Sequence, residues 1–189
     1  WSKDASERMK IKIDTRVLTD MLTDVSSSNK GQTAGRISGN IDLGVAGTPE
    51  ALTTSNVIGK IVDMGTVLDE ANCPESDRFM VIPAKMGGLI KQSDLKDASI
   101  TGDGSTPLRN GRLGMIDRFT VYVSHNLYKS GSEFSVIAGH KMGFTFASQM
   151  TNMETIRSET TFGNIIRGLQ VYGYKVVKPE ALATLVCTV

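Results

Sequence analysis

Ser124 and His125 are the nearest thing in this chain to a nucleophile beside a base. A general base must reach the hydroxyl it deprotonates, and a third group must orient it. Neighbours on a strand point to opposite faces, so His125 is poorly placed to serve Ser124. The other histidine, His140, follows Gly139 and would need a distant acid. No Gly-x-Ser-x-Gly turn lifts a serine out of a sheet. A small Ser/His hydrolase built on Ser124 or His140 is therefore a remote reading, and ordinary polar histidines are the simpler one. Asp63 and Glu70 are seven residues apart on a helical pattern, hence on one face, which usually means a solvated surface. Asp94, Asp97 and Asp103 lack the regular alternation of a calcium loop. The glycines at 31, 35, 39, 44 and 47 are too widely spaced for a phosphate cradle, and no Gly-Lys-Ser/Thr follows. They read instead as an extended loop with several turns. Lys85, Lys91 and Lys96 are separated by acids or apolar residues and form no basic stripe. No catalytic, cofactor-binding or metal-binding set emerges. The chemistry points to a structural role, with no enzyme activity and no cofactor expected.

Composition agrees. The chain has 189 residues, with 21 Lys+Arg against 20 Asp+Glu. A dedicated nucleic-acid binder usually carries a strong basic excess. Near-neutrality instead suits a protein that packs against copies of itself. Cys73 and Cys187 alone make neither a disulfide framework nor a metal spacing, and a reducing cytosol is the default. The nine methionines suit core and interface gaps. No run is long and apolar enough for a signal peptide or a membrane span, so no membrane partner is expected. The chain opens at Trp1 in mid-pattern, from which further residues are expected upstream.

The elements follow from periodicity. A helix is expected from Asp4 to Val25, with Asp4 and Glu7 as a capping box. A second begins after Thr54 or Ser55 and shows Val57, Ile58, Ile61, Val62, Met64 and Leu68 on one face. Gly59 and Gly65 weaken it, so something must pack closely there. Asn72 to Ser76 reads as a turn. Arg78 to Ile82 reads as a buried strand stopped by Pro83, and Ala84 to Lys91 as a short helix. Ile100 to Arg112 is a polar loop. Leu113 to Ile116, Phe119 to Ser124 and Glu133 to Ala138 read as strands. Gly139 to Gln149 is expected as a short helix, Thr151 to Arg157 as extended, and Phe162 to Gly168 as one helical turn. Gln170 to Val177 is a strand, Pro179 to Leu185 a short helix with Pro in its first turn, and the last four residues a strand. The sum is an α+β fold with few long helices and a mixed sheet.

Four segments, in order, resemble tailed-bacteriophage major capsid proteins of the Hong Kong 97 type. The first is Leu68-Asp69-Glu70-Ala71-Asn72-Cys73-Pro74 followed by Asp77 to Pro83. The second is the hairpin from Asn110-Gly111 through Phe119-Thr120-Val121-Tyr122-Val123 to Leu127. The third runs from Ala138-Gly139-His140 through Phe144 to Gln149, with Glu154 and Arg157. The fourth is Phe162 to Leu169, running into Gln170-Val171-Tyr172-Gly173-Tyr174-Lys175 and Pro179-Glu180-Ala181-Leu182. Two positions depart from the family pattern: Arg118 and Asp77 stand where that family commonly has glycine.

The resemblance implies a shell subunit with peripheral and axial subdomains over residues 1–189. An N-terminal arm and an extended loop would precede Trp1. It also implies self-assembly into hexamers and pentamers of an icosahedral virion capsid in the bacterial host cytoplasm. Packaged double-stranded DNA would be contacted non-specifically, and scaffolding, portal and decoration proteins are the further partners implied. An encapsulin-like protein compartment is the alternative on the same fold.

Overall fold

The structure is a computed structural model that describes residues 2–93, 114–149, 153–158 and 162–189. Expectations for Asp94, Lys96, Asp97, Asp103, the loop at 100–112 and the Asn110-Gly111 turn lie outside the described residues.

The core begins with β2 (Arg78–Ile82), an uninterrupted apolar run after its first residue. Such a run fits a strand buried on both faces. Met80 and Ile82 point to one core cluster, Phe79 and Val81 to another. β2 lies inside a mixed sheet in the order β1-β11-β6-β2-β4-β3. The other members are β1 (Glu50–Ala51), β3 (Met115–Ile116), β4 (Phe119–Val123), β6 (Glu133–His140) and β11 (Leu182–Thr188). A short β5 (Lys129–Ser130) also pairs with β6. β2 runs parallel to β4 and antiparallel to β6, and β11 pairs with β6 through seven residues. Parallel neighbours need a crossover. After Pro83, α3 (Ala84–Gln92) begins that crossover.

Helix α2 (Val57–Glu70) covers one face of the sheet. It buries Val57, Ile61, Met64, Val67 and Leu68 against Met80, Ile82, Phe119, Val136, Ala138 and Leu185. Val62, expected on that face, is 45% exposed. The N-cap is Asn56, not Thr54 or Ser55; its side chain accepts from Thr53 N at 2.7 Å and donates to Ala51 O at 2.8 Å. The other end closes with Asn72 in the left-handed region, φ 54. Cys73 N donates to Leu68 O and Asn72 N to Asp69 O, the paired bonds of a Schellman cap. Gly65 has the close neighbour its type demanded: a Cβ there would lie 2.3 Å from Asp117 Oδ2. Gly59 has none within 4 Å.

The opposite face is covered by the end of α1 (Ser2–Thr23). Met21 and Val25, with Val17, Leu18 and Leu22, pack on Ile137, Leu182 and Phe144. The helix starts before Asp4, so no capping box forms. Asp4 sits in the first turn, where a negative charge complements the helix dipole, and accepts from Arg8 at 3.2 Å.

Three expectations after residue 138 need correction. Gly139 and His140 end β6; a Cβ at Gly139 would meet Leu182 Cδ2 at 2.5 Å, so this glycine admits the tight β6–β11 approach. A single 3-10 turn, Lys141–Gly143, precedes β7 (Phe144–Gln149). The Phe-Thr-Phe alternation there has the two-residue period of a strand, which outweighs its helical spacing. Asn164 to Gly168 forms β9, not a helical turn, because its two isoleucines pair across a ladder with β8 (Met153–Arg157). Only Pro179–Ala181 is helical at the C-terminal turn; Leu182 onward joins the sheet.

Candidate assembly surface

Ser124 and His140 are occupied by local structure. Ser124 Oγ accepts from Asn126 N at 3.1 Å, and His140 Nδ1 accepts from Met142 N at 3.1 Å. Among the described residues, no hydrogen bond joins Ser124, His125 and His140, and no group of three His, Cys, Asp or Glu is placed to hold a metal. Among the described residues, no helix is long and apolar enough to cross a membrane. Cys73 and Cys187 are free and buried, and burial pushes the Cys187 thiol up to about 12.

The glycine-rich stretch does cradle an anion, though an internal one. Glu70, at the end of α2, accepts from Ile37 N at 2.7 Å and Ser38 N at 3.0 Å. These two backbone donors hold its carboxyl below the ordinary range. Gly47 N donates to Glu133 at 3.1 Å, so a second carboxylate also holds the loop. Asp63, two turns before Glu70, is 42% exposed and lies 4.0 Å from Lys60.

Two surfaces stand out. The first is a ribbon. β7 pairs antiparallel with β10 (Val171–Val176), and β8 pairs antiparallel with β9 (Asn164–Gly168). On the inner side of the β7–β10 ladder, Phe144, Phe146, Tyr172 and Tyr174 form an aromatic row, with ring centroids 6.1–6.2 Å apart. Tyr174 hydroxyl donates to Asp20 on α1, and this bond with burial raises its pKa. The rest of the ribbon faces water. Ile165, Ile166, Leu169 and Val171 are each more than half exposed, and Phe162 is fully exposed. A two-stranded ladder is marginal by itself in water. An apolar ladder without a cover marks an interaction surface.

The second surface is a charged network at the end of the sheet where α2 stops and β2 and β4 start. Arg78 is wholly buried. Its guanidinium donates to Asp69 Oδ1 at 2.6 Å, Cys73 O at 2.7 Å and Pro74 O at 2.8 Å. Arg118 reaches the same Asp69 at 2.8 Å and Glu75 at 3.1 Å. Burial would raise the Asp69 carboxyl, but the hydrogen bonds from Arg118 and Arg78 prevail and hold it below the ordinary value. Asp77 pairs with Lys141 at 2.7 Å, and that bond lowers its carboxyl. The non-glycine residues with positive φ cluster here: Asn72, Asp77, Asp117 and Arg118. Asp117 and Arg118, with φ 45 and 65, form the two-residue turn between β3 and β4, where both central positions need positive φ. For Arg118, left-handed backbone costs about 1–2 kcal/mol. An exposed ion pair returns only about 0.2–1 kcal/mol. Asp77, at φ 56, and Arg118 thus occupy positions that glycine would fill without strain. The resemblance to capsid proteins marked both as departures from that family's glycines; the network that uses them joins four elements and shows only in three dimensions.

The curled mixed sheet, its covering helices and the projecting ribbon define a shell-subunit architecture of the Hong Kong 97 type. The family described as phage capsid protein matches residues 1–185, and the chain belongs to that family. A solved structure from Mycobacterium phage Che8 is similar at TM-score 0.77 and 24% identity, covering 97% of this chain and 61% of that one. The capsid of cyanophage P-SCSP1u aligns at TM-score 0.63 and 15% identity, covering 99% and 64%. An encapsulin complex from Synechococcus elongatus aligns at TM-score 0.61 and 11% identity, covering 97% and 62%. At these identities the likenesses show the fold, and this chain spans 61–64% of the length of those three. No curated protein sequence gives a significant match.

Proposed function

We propose that this chain is the shell-forming part of a phage major capsid protein, which associates with copies of itself as hexamers and pentamers of an icosahedral virion capsid. The observation that carries this reading is the exposed apolar ribbon around β8 and β9, a surface that a lone subunit leaves wet. Family membership supports it. The α2-covered sheet would be the axial subdomain, and α1 with the ribbon the peripheral one. An N-terminal arm and extended loop would complete the lattice. Each contact between copies is weak, and closure of the shell makes them collectively strong. Enclosed double-stranded DNA would touch the inner face non-specifically, in keeping with a net charge of +1. Scaffolding, portal and decoration proteins are the further partners, and assembly would occur in the bacterial cytoplasm. The role is structural, without catalysis.

The encapsulin-like compartment is the second reading, favoured by the likeness to the Synechococcus elongatus complex; the family match favours the phage capsid. Negative-stain electron microscopy of the full-length gene product tests the proposal, beside light scattering of this 189-residue chain. Closed shells from the full product support it. A product that stays monomeric or dimeric in all conditions overturns it. DNA inside particles made in an infected host separates the phage reading from the compartment.

A further inference from the structure

We propose that Phe162, at the tip of the ribbon, docks into the groove between α1 and β10 of a neighbouring copy of this chain. The proposal rests on the self-assembling reading above. The groove comes from the pattern of α1. Met9, Ile13, Val17 and Met21 recur every fourth residue and share one face of the helix. Val17 and Met21 pack on Ile137 and Leu182. Met9 and Ile13 carry the same apolar stripe further and, with Tyr172 of β10, line a groove of about 580 Å³. Lys12 and Arg16 stand among its lining. An apolar floor with cations beside it suits an aromatic ring, whose faces attract an ammonium or a guanidinium.

The chain carries such a ring. Phe162 is fully exposed, and its ring already draws the Arg157 guanidinium to 5.8 Å. The tip is set before contact: Ser158 N donates to Gly163 O at 2.9 Å, and β8 pairs with β9 behind it. A group held in place loses less freedom on docking than one on a mobile segment. The 5 residues of β9, at about 3.3 Å each, hold the tip roughly 16 Å from the ribbon's base. The ring is thereby kept away from the groove of its own chain. A second copy is the partner because the chain belongs to a capsid family, and a capsid repeats its subunit. Among identical chains every ring finds one groove. The contact joins two different patches, and repeated head to tail it closes into rings, the form that hexamers and pentamers take.

The test uses the full-length protein carrying Phe162→Ser, Ile13→Ser, both together, or Phe162→Cys co-expressed with Ile13→Cys. The serine variants should melt like the parent, because neither side chain belongs to the buried core. Each should need about tenfold more protein to assemble, the low end for burying one aromatic side chain. The double variant should be little worse than either alone, since the two side chains make one contact. Under mild oxidation the co-expressed cysteine variants should form a disulfide between unlike chains, which requires their Cα atoms within about 7 Å. Cys73 and Cys187 are buried and do not compete. Parent-like assembly of both serine variants, with no mixed disulfide, would overturn the proposal while leaving the capsid reading intact. Phe162→Cys chains that crosslink to each other would overturn it by showing that tips meet tips. Weakened assembly in Ile13→Ser alone, without the mixed disulfide, would overturn it by giving the groove to another segment. A parent that forms no assemblies removes both readings.

Discussion

Arg78 shows how much of this molecule depends on one side chain. Position and pattern make it the first residue of a buried strand, which the sequence suggests readily. Its task was not legible there. The groups it satisfies are backbone carbonyls of Cys73 and Pro74 and a carboxylate on α2, and no spacing rule brings those together. Replacing Arg78 by Met removes the charge and leaves the buried carbonyls bare. Asp69 is 40% exposed and keeps Arg118, so the loss comes mainly from the unsatisfied carbonyls, about 1–3 kcal/mol. The expected result is a drop in the urea midpoint, with assembly weakened through misfolding. Cys187 offers a separate measurement. With its thiol pushed up to about 12 and no exposed surface, it should resist alkylation in the folded chain at pH 8 and react on unfolding. Mass spectrometry after a short iodoacetamide pulse reads this directly; modification at the rate of a free thiol would show that the end of β11 between β1 and β6 opens readily.

Strong periodicity made some elements legible and left others ambiguous. β2 has the bounds its apolar run gave, and α1, α2 and α3 fall within two or three residues of expectation. The ribbon was misread twice. In β7 the Phe-Thr-Phe alternation covers only the first three residues, and in β9 the adjacent Ile165 and Ile166 are both exposed, so burial left a weak imprint and cross-strand pairing defines these strands. The glycine-rich loop was read correctly as a loop, but its anchoring was invisible, since Glu70 and Glu133 are remote in sequence. Gly44 is where the loop meets the backbone of the sheet most closely. It holds φ 68, and a Cβ there would lie 2.3 Å from Val186 O, a backbone atom of the neighbouring strand. Gly44→Ala therefore combines backbone strain with a clash against atoms that cannot rotate away. The expected loss is about 2 kcal/mol or more, measured as a shift in denaturant midpoint with unchanged slope. Gly59→Ala, where the space is open, should instead stabilise α2 by up to about 1 kcal/mol. The pair of variants separates a glycine fixed by packing from one that is not.

At the scale of the molecule, acid should act on the sheet end and the loop together. Asp69, Glu70 and Asp77 all hold carboxyls below their ordinary values of 3.8, 4.5 and 3.8. The unfolded chain then binds more protons than the folded one as pH falls through this range. The sign follows: the stability these groups add is fully present above about pH 4.5 to 5 and is lost as pH falls through the lowered values. These carboxylates tie α2 to β2 and the β3–β4 turn, the glycine loop to α2, and β2 to the turn after β6. Their protonation loosens several junctions at once while the apolar faces of α2 and the sheet are untouched. Net charge rises in the same range, because lysines and arginines stay charged as carboxylates neutralise, and self-repulsion adds to the effect. The thermal midpoint is therefore expected to be flat between pH 6 and 8 and to fall steeply below pH 4.5. Added salt should moderate the part due to repulsion. A midpoint unchanged down to pH 3 would show that the network at Asp69 and the clamp at Glu70 contribute nothing to the stability of the fold.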